Sequence, residues 1–192
     1  NGTKALYGPT FSDIGLIETL EGAKNHPNLQ AKLGPNQGRG VAAGFWFNIG
    51  GESSATINVN EDGTVSLVSG SPDIGGSRAS MSMMAAEVLG IDVEQVRPIV
   101  GDTASVGFTF LTGGSRVTFA TGMAVCEAAE EVVKIMKGRA AKIWEIDYEA
   151  VEWKDGSAYP AGDNAGKFEP LSLADIAAKA GRTGGPINAK GA

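Results

Sequence analysis

From Thr56 to Ile91 the chain reads TINVNEDGTVSLVSGSPDIGGSRASMSMMAAEVLGI, and most of the architecture follows from this stretch. Thr56 to Asn60 and Thr64 to Val68 each alternate apolar with polar side chains, the period-two pattern of a strand with one buried face. Glu61-Asp62-Gly63 between them supplies turn chemistry, so the pair predicts an antiparallel hairpin. The period then changes. After Ser69-Gly70-Ser71-Pro72-Asp73-Ile74-Gly75-Gly76-Ser77, the residues Met81, Met84, Ala85, Val88 and Leu89 recur at helical spacing, and Gly90 is a natural C-terminal stop. Strand, glycine-rich turn and helix are therefore expected in that order.

Working outward, Val93 to Val100 predicts a further strand, with Gly101-Asp102-Thr103 at its exit and a long loop from Ala104 to Gly114. The longest helix is predicted from about Thr118. Val125, Ala129, Val132, Met136, Ala140 and Ile143 form its apolar stripe, while Glu127, Glu130, Lys134 and Lys137 face away and Glu130 with Lys134 adds an i,i+4 pair. Upstream, Ser12 and Asp13 precede an amphipathic helical pattern that stops near Asn25-His26-Pro27, with His26 as a helix-end residue. The breaker-rich run Gly34 to Gly40 then leads into Val41 to Ile49, an apolar and aromatic segment expected to be a buried strand. Downstream, Val151 to Ser157 predicts a small hairpin, and Ser172 with Asp175 makes a capping box for a helix over Leu173 to Ala180. Asn188 to Ala192 shows neither periodicity nor a closing element, so the chain is expected to end within a domain. This order of elements predicts an α+β fold, a mixed sheet with helices packed on one face. Three regions are expected: a helix and glycine-rich lead-in over 1–40, an α+β subdomain over 41–145, and a small hairpin plus helix over 146–192, an incomplete C-terminal part.

Composition removes many functions. The 192 residues carry a formal charge of -6, which leaves no basic footprint for nucleic acid or an anionic membrane face. No run approaches the roughly 18 apolar residues of a membrane span, and the first residues show no export pattern, so a cytoplasmic location is expected. A single Cys126 and a single His26 exclude an internal disulfide and a three-histidine zinc centre. Cys126 falls inside the long helix with no histidine near it in sequence and is read as structural. No catalytic residue and no metal ligand set is assigned.

Glycine is the exception, at 28 residues, and it is clustered. Asp73-Ile74-Gly75-Gly76-Ser77-Arg78 and Leu111-Thr112-Gly113-Gly114-Ser115-Arg116-Val117 have the same form, a glycine-rich loop emptying into a helix N-terminus. Glycines let backbone N–H groups approach a ligand closely, and a helix start adds unpaired N–H groups and the positive end of its dipole. An anion is the expected occupant. Ser77 and Ser115 can cap their helices or donate to an anion, and Arg78 and Arg116 can add bidentate contacts. Turn formation alone explains either loop equally well. Neither matches the phosphate-binding Gly-Lys-Ser/Thr loop or the dinucleotide fingerprint. Asp102 with Thr103 at a strand exit is expected to fix its own turn.

Taken together, these residues resemble the molybdenum-cofactor-binding large subunit of the xanthine dehydrogenase and aldehyde oxidase family, closest to its carbon monoxide dehydrogenase-like members. The resemblance covers nearly the whole chain. It rests on Gly38-Arg39-Gly40-Val41-Ala42, Asp62-Gly63-Thr64-Val65, Asp73-Ile74-Gly75-Gly76-Ser77, Glu87-Val88-Leu89-Gly90-Ile91, Gly101-Asp102-Thr103 and Gly113-Gly114-Ser115-Arg116.

That resemblance implies a molybdenum-cofactor-binding-domain-like fold whose loops hold the anionic molybdopterin, in its plain or cytosine dinucleotide form. The implied cofactor-binding positions are Ile74, Gly75, Gly76, Ser77 and Arg78 on one loop and Gly113, Gly114, Ser115, Arg116 and Val117 on the other. Gly76 stands where the family commonly has Gln. It further implies an oxidoreductase with FAD and 2Fe-2S on partner subunits and a small substrate such as an aldehyde, an N-heterocycle or CO. Family subunits are several times longer, and the segment bearing their general base is not matched. The chain is thus expected to be a fragment or split subunit that needs the remaining segments for turnover. The alternative is a non-catalytic α+β assembly module, or a simple anion-binding domain, that retains the scaffold.

Overall fold

The computed structural model describes residues 2–5, 8, 10–44, 46, 49–102 and 104–192. The chain divides into two compact units, Asn1–Phe45 and Trp46–Ala192. The first contains α1 (Leu16–Asn25) and α2 (Pro27–Gln30), neither of which buries a side chain. Gly15 rather than Ser12 or Asp13 stands at the start of α1. His26 joins the two helices, its Nδ1 accepting the Asn28 amide at 3.2 Å.

The second unit holds the sheet. β1 (Ala55–Val59) and β2 (Val65–Ser69) form the predicted hairpin, in register from Ala55 opposite Ser69 to Val59 opposite Val65. Its turn is closed by Asn60 and Thr64, while Asp62 Oδ1 accepts the Thr64 amide at 2.9 Å. β3 (Val96–Val100) lies parallel to β2, so the sheet is mixed. The connection is α3 (Ser77–Leu89), with Gly90 as its left-handed stop. A π-helical turn, Val117–Thr121, then leads into α4 (Gly122–Trp144).

Burial alternates along the strands as the sequence predicts. Ala55, Ile57, Val65, Leu67 and Val96 point into one core with Met81, Ala85 and Leu89 of α3 and Val125, Ala129, Val132, Met136 and Ala140 of α4. The intervening Thr56, Asn58, Ser66 and Val68 are only half-buried. Both helices thus cover one face of the sheet. A Cβ on Gly122 would stand 2.7 Å from Met84 Sδ, so α4 begins in close contact with α3. On the solvent side of α4 the ion pair is Lys134 with Glu131, at 2.5 Å, rather than with Glu130. Lys137 instead sits over the Tyr148 ring, 4.7 Å from its centre.

β4 (Val151–Lys154) and β5 (Ser157–Pro160) form the second hairpin, to which the short β6 (Leu171–Ser172) adds. Ser172 and Asp175 make the expected capping box for α5 (Leu173–Ala177). Lys179 leaves helical geometry, and α6 (Ala180–Thr183) follows as a separate turn.

Two further expectations are corrected. Residues 188–192 are not structureless: β7 (Ile187–Gly191) pairs antiparallel with β1 and completes the order β3-β2-β1-β7. Ile187 and Gly191 are buried while Asn188 and Lys190 are exposed, a period-two pattern muted in sequence because Ala189 and Gly191 carry little apolar surface. The other concerns 41–49, where no described residue is in a strand and Val41 and Trp46 are 71% and 72% exposed. The sheet edge beside β1 is taken by β7, and the Ile49 amide bonds to Gly114 O instead. Phe45 and Phe47 lie outside the described residues. No helix among the described residues is long and apolar enough to cross a membrane.

Candidate functional site: a cleft between two glycine-rich loops

The first loop runs from the end of β2 to the start of α3. Gly75 and Gly76 have φ of 66° and 80°, the left-handed region that disfavours a side chain. Nothing lies within 4 Å of the place a Cβ would take on either. Among the described residues, their amides donate to no protein acceptor. Backbone N–H groups at a helix start are thus left without a protein acceptor, the arrangement that receives an anion.

Ser77 is within the first helical turn and does not cap α3; Gly76 holds the cap position. Its Oγ donates to Pro72 O at 3.2 Å and accepts from the Ile74 amide at 3.3 Å, which ties the loop to the helix. Ile74 is 61% exposed. Asp73 accepts the Arg78 amide at 3.1 Å through Oδ1 and pairs with Arg78 Nε at 2.8 Å through Oδ2. The Arg78 amide and guanidinium hold the Asp73 carboxyl below the usual aspartate range.

In the second loop, Asp102 fixes its own turn as expected. Its Oδ1 accepts the Ala104 amide at 2.7 Å and its Oδ2 the Ser105 hydroxyl at 3.0 Å, contacts that lower its carboxyl pKa. Thr103 lies outside the described residues. Gly114 O accepts the Ile49 amide at 3.0 Å, and Ser115 is left-handed at φ 56°.

Arg116 is fully buried. Nε donates to Gly50 O, Nη1 to Phe110 O at 2.8 Å and Leu111 O at 3.4 Å, and Nη2 to Gly51 O at 3.0 Å, Glu52 O at 2.7 Å and Ser53 Oγ at 2.6 Å. The expectation of a bidentate arm to an anion is therefore corrected for Arg116, whereas Arg78 gives only its Nε to Asp73 and stays half-exposed. Arg78 is held by Asp73, and all three Arg116 nitrogens are engaged by loop carbonyls and Ser53. From Ser53 the polar chain continues to Thr121 Oγ1 at 3.0 Å and on to Ser71 Oγ at 2.8 Å. Ser53, Ser71 and Thr121 are buried and link the second loop to the start of the first. The π-helical turn carries Thr121 to that position, a feature that recurs at functional sites.

The two loops meet at an open cleft of about 270 Å³. Ile74 and Ser77 line it from the first loop, and Gly113, Ser115, Arg116 and Val117 from the second. Gly75, Gly76, Arg78 and Gly114 are not part of its wall. Ser53, Ser71 and Thr121 were not singled out from sequence. The available signal was Gly50-Gly51-Glu52-Ser53, a further glycine pair followed by a small hydroxyl. Elsewhere Cys126 is half-buried, and burial, with Glu130 and Glu127 adding to it, pushes its thiol pKa up, so it is a poor nucleophile. No group of three His, Cys, Asp or Glu among the described residues could hold a metal ion.

The family model described as a molybdopterin cofactor-binding domain matches residues 17–192. Over 104 residues the chain is 38% identical to the aldehyde oxidoreductase molybdenum-binding subunit PaoC of Escherichia coli (strain K12), covering 49% of this chain and 14% of that protein. It is 25% identical over 170 residues to the carbon monoxide dehydrogenase large chain of Hydrogenophaga pseudoflava, covering 88% of this chain and 19% of the relative. The solved structure of reconstituted CO dehydrogenase from Oligotropha carboxidovorans shares its fold, with a TM-score of 0.65 at 21% identity over 72% of this chain and 18% of that one. The chain thus spans less than a fifth of these relatives. With the match extending over nearly its full length, the chain belongs to the molybdopterin cofactor-binding domain family.

Proposed function

We propose that the two glycine-rich loops hold the pterin cofactor of a molybdenum-dependent oxidoreductase, with Ile74, Gly75, Gly76, Ser77 and Arg78 on one side and Gly113, Gly114, Ser115, Arg116 and Val117 on the other. The observation that carries this reading is the meeting of both loops at one cleft, with the Gly75 and Gly76 amides unbonded beside it. These residues fit an anionic, flat-edged group: backbone donors, a helix start, an exposed Ile74 for ring contact, and a carboxylate, Asp73, already paired with Arg78.

When bound, the molybdenum centre supplies the redox chemistry, in which water provides the oxygen transferred to substrate. This chain's own share is positional. The loop amides bind and orient the anion, the Asp73–Arg78 pair removes a repulsive charge from the first loop, and the Arg116–Ser53–Thr121–Ser71 chain fixes the loops relative to each other. The general base, the 2Fe-2S and the FAD reside on other segments or partner subunits. The substrate class is an aldehyde, an N-heterocycle or a CO-like molecule, the cofactor its plain or cytosine dinucleotide form, and the location cytoplasmic. The aldehyde and CO-like classes are supported by the resemblance to aldehyde oxidoreductase and carbon monoxide dehydrogenase.

A second reading, a non-catalytic module or simple anion-binding domain, is favoured by the full commitment of the Arg116 donors to protein partners. Acid and iodine oxidation of the purified protein separates the two. A cofactor-holding domain releases a fluorescent pterin; a structural module releases none, and that result would end the first reading.

A further inference from the structure

Arg116 has no carboxylate within ion-pairing distance among the described residues, although it is fully buried. On the segments that wrap it, 49–53 and 110–117, the other titratable side chain is that of Glu52. That residue is exposed and offers the guanidinium only its carbonyl. Buried cations are ordinarily paired, because taking a charge out of water is costly unless an opposite charge compensates. Carbonyl dipoles satisfy the N–H groups here, but they bring no net negative charge. Arg116 nonetheless contributes to the wall of the cleft.

We propose that Arg116 is a positioning residue and the fixed counter-charge of the cleft: its guanidinium ties residues 50–53 to 110–111 behind the second loop, and the negative charge it lacks is supplied by the bound anion, through the field rather than a hydrogen bond. This rests on the cofactor reading above and assigns the site its electrostatic element. Because the donors are already engaged, the anion meets a preorganised positive charge that needs no rearrangement. Arginine suits the role, since it stays protonated when buried and spreads its donors over several carbonyls, whereas a buried lysine loses its proton readily.

The test uses the holoprotein, with Arg116→Gln and Arg116→Lys alongside wild type. Circular dichroism establishes folding, and bound molybdenum and pterin fluorescence are followed during dilution into cofactor-free buffer. A folded Arg116→Gln is expected to lose cofactor about tenfold faster, the effect of one lost charge contact. Arg116→Lys is expected to retain more than the Gln variant at neutral pH, and to lose that advantage as pH rises toward about 10, because an unpaired buried ammonium titrates below its ordinary value. Wild type stays flat over the same range. A purely structural arginine would show no such pH profile. Wild-type retention by the Gln variant, or a pH-independent Lys variant no better than Gln, would overturn the proposal.

If neither variant folds, cofactor-free wild-type protein decides. Inorganic pyrophosphate should raise its melting temperature, and no shift at about 10 mM would overturn the counter-charge. Wild-type holoprotein that carries no pterin overturns the cofactor reading alone, and the pyrophosphate shift then decides the role of Arg116.

Discussion

Asp73 grips Arg78 at two points, its Oδ1 taking the backbone amide at 3.1 Å and its Oδ2 lying 2.8 Å from Nε. The same contacts pin the first glycine-rich loop to the opening turn of α3 and engage the Nε edge of the guanidinium. The arginine of this motif is thus turned in part toward its own loop.

The pH dependence follows. Asp62, Asp73, Asp102 and Asp175 all have folded carboxyl pKa values below the ordinary 3.8, each because a hydroxyl or backbone amide donates to the ionised form. Depressed folded values mean stabilisation that is fully present above about 3.8 and is lost as pH falls through the lower folded values. Urea midpoints should hold between about pH 7 and about pH 5 and fall below about pH 4. Asp73→Ala should be less stable than wild type at neutral pH, and the difference should shrink as pH falls below about 3.8. A wild-type advantage that persists unchanged at pH 3 would contradict this account of Asp73.

Gly76→Gln introduces the side chain that the resemblance implies at this position. The site has room, with nothing within 4 Å, but a left-handed φ of 80°. The expected cost is about 1–2 kcal/mol with the fold retained, read by thermal denaturation. A variant that fails to fold would show that the loop is not open.

Gly90→Ala should cost more. Gly90 has φ 72°, and a Cβ there would stand 2.5 Å from the Gly156 amide nitrogen; a Cβ on Gly156 would stand 2.7 Å from Gly90 O. The end of α3 and the β4–β5 turn meet backbone to backbone. Strain and overpacking together predict a loss of about 3 kcal/mol, and a loss under about 1 kcal/mol would refute the close approach.

Thr121→Val removes the hydroxyl shared by Ser53 and Ser71 in a fully buried place. Leaving those partners short of a bond should cost about 1–3 kcal/mol, measured by denaturant unfolding. A neutral result would mean that the linkage does not hold the loops.

The hairpin, α3 and α4 were legible in the sequence because their periods are strong and their stops, Gly63 and Gly90, are unambiguous. β7 was not, since Ala189 and Gly191 sit at inward places with almost no hydrophobic signal, and its pairing with β1 is a long-range contact. Among the described residues of 41–49 none is in a strand: their side chains suit one, but the β1 edge of the sheet is paired with β7. The loops themselves were readable from Gly75-Gly76 and Gly113-Gly114. What the arginines do was not, because the carbonyls that engage Arg116 belong to residues 50–52 and 110–111, and no spacing rule announces them.

The most direct measurement is molybdenum per chain, by mass spectrometry of the metal, in protein purified with its assembly from the native host. The account predicts a ratio of about one for wild type and near zero for a folded Gly75→Val, whose side chain would stand beside the loop amides. A folded wild-type protein without molybdenum, or a Gly75→Val variant that keeps the full complement, would contradict it.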